Sequence, residues 1–159
     1  MLKRLLLIVG MVGMWGTADL QAQVRFGGQV GFANDADLGI GGRVQVGLPV
    51  ERLAFIGSFD WFFPSGTAGA SFNYWEINAN VKYGIPVNSD MFGPYVGAGL
   101  NFAHASFSAE GFEGVSDSNL GLNLMAGTSF NTGRFEPFAE LKLEIGGGEQ
   151  LILAGGLMF

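Results

Sequence analysis

The sequence predicts an all-β fold: an eight-stranded antiparallel up-and-down transmembrane β-barrel. Three observations carry this. Residues 75–85 read Trp-Glu-Ile-Asn-Ala-Asn-Val-Lys-Tyr-Gly-Ile, an unbroken apolar–polar alternation. The same alternation returns in eight segments separated by turn-forming residues. No apolar run reaches the ~18 residues of a membrane helix, yet 48% of the 159 residues are hydrophobic and only 14% charged, apolar for a soluble domain.

In chain order the segments are 24–33, 39–48, 53–63, 72–85, 92–107, 120–130, 135–145 and 151–159. Successive side chains of a strand point to opposite faces. The first segment puts Arg25 and Gln29 on one face. The second sets Ile40, Gly42, Val44, Val46 and Leu48 against Gly41, Arg43, Gln45 and Gly47. The third separates Asp60 from Trp61 and Phe63. In the fourth, Trp75, Ile77, Ala79, Val81, Tyr83 and Ile85 oppose Glu76, Asn78, Asn80 and Lys82. At roughly 3.3 Å per residue this segment can cross a bilayer at a tilt. The fifth aligns Val96, Ala98, Leu100, Phe102, His104 and Ser106, with Asn101 on the other side. The sixth opposes Leu120, Leu122, Leu124 and Ala126 to Gly121, Asn123, Met125 and Gly127. The seventh opposes Phe135, Ala139, Leu141, Leu143 and Ile145 to Glu136, Phe138, Glu140, Lys142 and Glu144. The eighth aligns Leu151, Leu153, Gly155, Leu157 and Phe159.

Residues 49–52, 86–90 and 131–134, rich in Pro, Asn, Asp and Gly, read as compact turns. Residues 34–38, 64–71, 108–119 and 146–150 read as longer loops at the other end, the plan of an outer-membrane barrel. Gly47-Leu48-Pro49-Val50 recurs as Gly84-Ile85-Pro86-Val87, and Phe92-Gly93-Pro94-Tyr95 as Phe135-Glu136-Pro137-Phe138. Proline is tolerated at a strand start, so the echoes support hairpins stacked in sequence order.

A soluble barrel buries its apolar face, whereas a membrane barrel turns it to lipid. The polar faces here are sparse, mixed in sign and full of glycine, which a solvated surface does not need. A narrow interior does need it. The charges expected inside are Arg25, Arg43, Asp60, Glu76, Lys82, Glu136, Glu140, Lys142 and Glu144, with Gln29, Gln45, Asn78, Asn80, Asn101 and Asn123 as neutral partners. Enclosed ions are costly unless paired, so a cross-strand network is expected, with Lys142 between Glu140 and Glu144 and with Glu76 and Lys82 fixing register. Eight strands leave room only for side chains, which favours a plug over the alternative, a narrow pore for ions or small solutes. Trp61, Phe63, Tyr74 and Trp75 at the loop end, and Tyr83, Phe92, Tyr95, Phe130 and Phe135 at the turn end, read as two interfacial girdles.

The apolar stretch 5–15 lies behind Lys3 and Arg4 and before Gly16-Thr17-Ala18, the build of a secretory signal peptide. Residues 1–22 are read as a cleaved leader and 23–159 as the barrel domain. The mature chain then carries 6 basic and 13 acidic residues, net −7, and no basic patch for nucleic acid. Absence of cysteine excludes disulfides and thiolate metal sites. The loop end holds Asp35, Asp37, Glu110, Glu113, Asp117 and Glu149 without Lys or Arg. Their spacing matches no calcium loop, and loop solubility accounts for them.

Pro94-Tyr95-Val96-Gly97-Ala98-Gly99, Pro137-Phe138-Ala139-Glu140 and the terminal Gly155-Gly156-Leu157-Met158-Phe159 resemble the small eight-stranded outer-membrane barrels, the opacity-protein-like and OmpA-type transmembrane domain family, at OmpX-like size. The resemblance implies a Gram-negative-type outer membrane with periplasmic turns and extracellular loops, and lipid and lipopolysaccharide as surroundings. It also implies that Leu153, Leu157 and Phe159 serve as the signal read by the barrel-insertion machinery, with Gly155 a departure from that pattern. An extracellular partner is expected through loop 108–119, and a structural or surface-interaction role. No catalytic residue, cofactor or metal is expected. The enzyme alternative rests on His104 and Ser106, a His-x-Ser pair resembling that of the eight-stranded lipid A deacylases. Phe107 stands where that family has an asparagine, and Glu110 and Glu113 lie in the loop, away from a base-orienting position.

Overall fold

In a computed structural model, which describes residues 23–34, 37–64, 70–109, 114–147 and 149–159, each alternating segment forms one strand. They are β1 (Val24–Ala33), β2 (Asp37–Gly47), β3 (Leu53–Phe63), β4 (Ala70–Gly84), β5 (Phe92–Ala109), β6 (Val115–Phe130), β7 (Glu136–Ile145) and β8 (Leu151–Met158). Each pairs antiparallel with its sequence neighbours, and β1 returns to β8 through Gly28↔Leu157, Val30↔Gly155 and Phe32↔Leu153, closing the sheet. Closure leaves no edge, so every backbone donor within the wall finds a partner, a requirement for strands in lipid. The expected leader at 1–22, with Asp35, Glu110 and Glu113, lies outside the described residues.

The expected loop 108–119 needs correction. β5 runs to Ala109 and β6 begins at Val115, with Phe107↔Val115, Ser106↔Ser116 and His104↔Ser118 in register. The segments left between strands are 34–36, 64–69, 110–114 and 146–150 at one end and 48–52, 85–91 and 131–135 at the other, so the ends differ little in connection length. What distinguishes the loop end is strand overhang, since paired strands continue beyond the rim of the barrel.

The outward positions of all eight strands carry no Asp, Glu, Lys or Arg. Phe26, Val30, Ile40, Leu122, Leu141 and Leu153 stand exposed there, in a continuous apolar band far larger than a water-soluble monomer displays. Trp61 pairs with Trp75 across β3 and β4, and Trp75 packs against Phe59 and Phe102 at 5.9 Å between ring centroids. At the turn end Phe135 meets Phe159 edge-on at 5.3 Å and Phe92 meets Phe130 at 6.0 Å. Two expected girdle residues are elsewhere. Tyr74 and Tyr95 are buried inside the barrel, because they share parity with Glu76 and Asn101.

Candidate functional site: the charged interior

The lumen is built from the inward residues of the strands, and its centre is ionic. On the turn side of the centre, Arg43 of β2 grips Glu140 of β7 with both terminal nitrogens, at 3.2 and 2.8 Å. This forked geometry suits guanidinium and carboxylate. The Tyr95 hydroxyl donates to Glu140 Oε2 at 2.8 Å, and the Arg43 guanidinium lies 4.3 Å from the Phe138 ring centroid. Toward the loop end, Lys142 lies 3.3 Å from Glu76 and 2.7 Å from Glu144. Glu76 is wholly buried and saturated. Its Oε1 accepts from the Tyr74 hydroxyl at 2.7 Å and Gln150 Nε2 at 2.5 Å, its Oε2 from Lys142 and from Asn78 at 3.4 Å.

Amides join the two clusters. Gln29 accepts from Arg43 at 3.2 Å and donates to Asp60 at 2.5 Å. Asp60 also accepts from Ser58 at 2.8 Å and Asn78 at 3.1 Å. Asn123 donates to Asn78 at 2.8 Å and to Asn80 at 2.9 Å. One chain of hydrogen bonds and ion pairs therefore runs from Tyr95 through Glu140, Arg43, Gln29, Asp60, Asn78, Glu76 and Lys142 to Glu144. Because each buried charge keeps a partner, the desolvation that would expel a lone ion is offset. Apolar side chains fill the rest. Ala33, Phe62, Ala103, Ile152 and Ala154 pack with Tyr74, and Ile56 packs with Tyr95 and Met125. Glycine provides clearance where polar chains cross. A Cβ on Gly41 would collide with Asp60 Oδ1, and one on Gly127 would stand 2.7 Å from the Tyr95 ring. The central cavity, bordered by Gln29, Arg43, Ser58, Asp60, Glu140 and Lys142, measures about 10 Å³, about one water molecule.

The nine expected interior charges all lie on inward positions, but their pairing differs from the sequence expectation. Lys142 bonds Glu144 and Glu76, not Glu140, which Arg43 takes. Arg25 pairs with Glu136 at the turn end. Lys82 and Glu76 are not partners. Lys82 has no ion pair among the described residues, and its Nζ lies 4.6 Å from the Tyr95 ring centroid. Sequence reasoning missed Gln150, assigned to a loop; it is buried and donates to Tyr74, Glu76 and Glu144. Its parity with Ile152 and Ala154 would have revealed it. Leu153, Leu157 and Phe159 face outward and exposed. His104 and Ser106 are outward too, but His104 Nδ1 lies 2.7 Å from Ser118 Oγ and its ring stacks on Trp75 at 5.0 Å. Ser106 stands opposite Asn73 and Ser116. Among the described residues no hydrogen bond joins His104 to Ser106, so the expected His-x-Ser pair is not assembled.

A closed barrel whose outside is apolar and whose inside is ionic is an integral outer-membrane protein, because lipid tolerates the first and protein must enclose the second. The sequence matches the family described as Outer membrane protein beta-barrel domain over residues 6–147, and the chain belongs to that family. Among solved structures it is similar to the N-terminal β-barrel domain of OprF from Pseudomonas aeruginosa, with 17% identity, 87% of this chain and 100% of that one covered, and a TM-score of 0.66. Neisserial surface protein A, NspA, superposes at 0.63 with 18% identity, covering 85% and 94% of the two chains. Ail, the attachment invasion locus protein of Yersinia pestis, superposes at 0.60 with 16% identity, covering 85% and 93%. A structure of Ail in complex with the heparin analogue sucrose octasulfate is also similar, at 17% identity, 85% and 93% coverage and a TM-score of 0.55. At these identities the likeness is one of fold. No curated protein matches the sequence.

Proposed function

We propose that this outer-membrane barrel is a closed structural scaffold that presents the β5–β6 hairpin to an extracellular partner, and that it neither conducts ions nor catalyses a reaction. The observation that supports the reading is the filled lumen. Its central cavity of about 10 Å³ has no space for a hydrated ion, while the two longest strands extend past the rim. At that end Asp37, Asp117 and Glu149 are accompanied by no Lys or Arg among the described residues. Like charges oppose association, so the expected partner is neutral or cationic, unlike the polyanion bound to Ail. Residues 1–22 are read as the cleaved leader and 23–159 as the mature barrel. Leu153, Leu157 and Phe159 are read as the signal for the insertion machinery, and lipopolysaccharide and phospholipid as its surroundings.

Two measurements test the proposal. In planar bilayers the refolded protein is expected to show no steady conductance; a conductance abolished by Lys142→Met would overturn closure. Replacing residues 107–115 with a two-residue turn is expected to keep the heat-modifiable gel shift of a folded barrel while reducing adhesion of expressing cells to cationic or uncharged surfaces. Unchanged adhesion would overturn the surface role.

A further inference from the structure

Three of the six cations in residues 23–159 are consumed by the interior. Arg43 is held by Glu140, Arg25 by Glu136, and Lys142 by Glu76 and Glu144. Of the other three, Lys82 and Arg52 line one pocket of about 280 Å³ at the turn end. Arg134 lies outside it, 5.6 Å from the Phe135 ring centroid. The pocket is lined by Lys82, whose ammonium lies 4.6 Å from the Tyr95 ring centroid and makes no ion pair among the described residues. Its carboxylate neighbours Glu136 and Glu140 are held by Arg25 and Arg43. The attraction of a ring face is worth about 0.5–2 kcal/mol, less than a charge-assisted hydrogen bond of about 1.5–3 kcal/mol, so the site favours an incoming anion. Arg52 Nε lies 3.3 Å from Glu51, but both side chains are solvent-exposed. Such a pair is worth about 0–1 kcal/mol and exchanges readily. Neither Glu51 nor Asp90, the acids of these turns, borders the pocket.

The backbone holds the pocket in shape. Arg52 has φ 66°, the left-handed region that side-chain-bearing residues seldom enter. It stays there because Gly84 N donates to Arg52 O at 2.9 Å and Leu53 N donates to Val50 O at 3.1 Å. That conformation keeps Arg52 beside β4 and thus near Lys82. Ser89 Oγ accepts from Phe92 N at 3.1 Å, which leaves its own hydroxyl hydrogen to donate elsewhere. Ile85, Val87 and Phe92 complete the lining with exposed apolar surface, continuous with the lipid-facing band. An arginine on a held backbone, a lysine without an ion pair and a hydroxyl donor beside lipid match the oxygens of a phosphate group.

We propose that this pocket binds a phosphate-bearing anion, either a phospholipid headgroup or a soluble phosphate, with Lys82 and Arg52 as charge partners and Ser89 as donor. The test uses the full barrel refolded in a maltoside detergent, which carries no phosphate, with the gel shift confirming folding of every variant. Amide resonances of Gly84, Ser89 and Phe92 are followed during titration with dihexanoyl-phosphatidylglycerol, with inorganic phosphate, and with dihexanoylglycerol. Saturable shifts are expected with one or both phosphates, and the arm that saturates identifies the source. Lys82→Gln and Arg52→Gln are each expected to weaken binding about tenfold or more, and Lys82→Arg to retain it. Arg134→Gln, which removes the same charge from the same end, is expected to leave it unchanged. No saturation in either phosphate arm, an equal response to dihexanoylglycerol, or an equal loss in Arg134→Gln would overturn the site.

Discussion

The barrel has a low wall and a tall one. β7, β8 and β1 contain 10, 8 and 10 residues, whereas β4, β5 and β6 contain 15, 18 and 16. On the low wall burial alternates along the strands, most fully in β7, where Phe138, Glu140, Lys142 and Glu144 are buried and their neighbours Ala139, Leu141 and Leu143 are exposed. On the tall wall the alternation of burial holds in β6 only from Gly121 onward; Val115 to Leu120 are exposed on both faces. The β6 overhang pairs with β5 alone, because the β6–β7 register begins at Leu122↔Ile145, whereas β7, β8 and β1 each pair on both sides. What also changes is the presence of an opposite wall. A paired strand satisfies its backbone but buries nothing by itself, and only closure converts one face into a core. The composition follows: charged and amide side chains in the lumen are bonded across the barrel, whereas Ser116, Asp117, Ser118 and Asn119 belong to a hairpin with water on both sides.

Substitutions can break or sharpen this contrast. The largest effect is expected for Glu140→Ala, which strands the buried Arg43 guanidinium and the Tyr95 hydroxyl. Loss of about 3–5 kcal/mol is expected, read from urea unfolding in lipid vesicles. The double variant Arg43→Met/Glu140→Leu should recover most of it, since no charge is then left alone. A single-variant cost below about 1 kcal/mol would mean that the interior pair behaves like a surface pair. Gly127→Val comes next. Its Cβ would stand 2.6 Å from Ala139 O and 2.7 Å from the Tyr95 ring, so overpacking should cost about 1–3 kcal/mol in the same assay. The smallest effect is expected on the tall wall. His104→Ala removes one exposed hydrogen bond to Ser118 and the stack on Trp75, about 1 kcal/mol or less. If it rivalled Glu140→Ala, the overhanging hairpin would be a stabilising element, not a display.

Much of the fold was legible because alternation survives in the sequence wherever the barrel is closed. The eight strands, their order and the inward parity of the nine charges follow from spacing alone. The start of β6 was not legible, because Val115 to Asn119 face water on both sides and carry no alternation to read. Position near strand ends points Tyr74 and Tyr95 to the girdles, but parity with Glu76 and Asn101 governs them, and both sit inside. The partners were illegible for a different reason. Lys142 is adjacent by parity to Glu140 and Glu144 on its own strand, and nothing local tells that Arg43 reaches across to claim Glu140 or that Glu76 comes to Lys142.

Sequence by itself determined which side of each strand meets lipid, since a period of two leaves a side chain only two directions and charge cannot occupy the apolar one. Tertiary structure alone decided which inward groups meet. That depends on how strands stagger when the sheet closes, a property of the whole ring. The ring brings Arg43 of β2 to Glu140 of β7 and Glu76 of β4 to Lys142 of β7, across a space that no single strand contains.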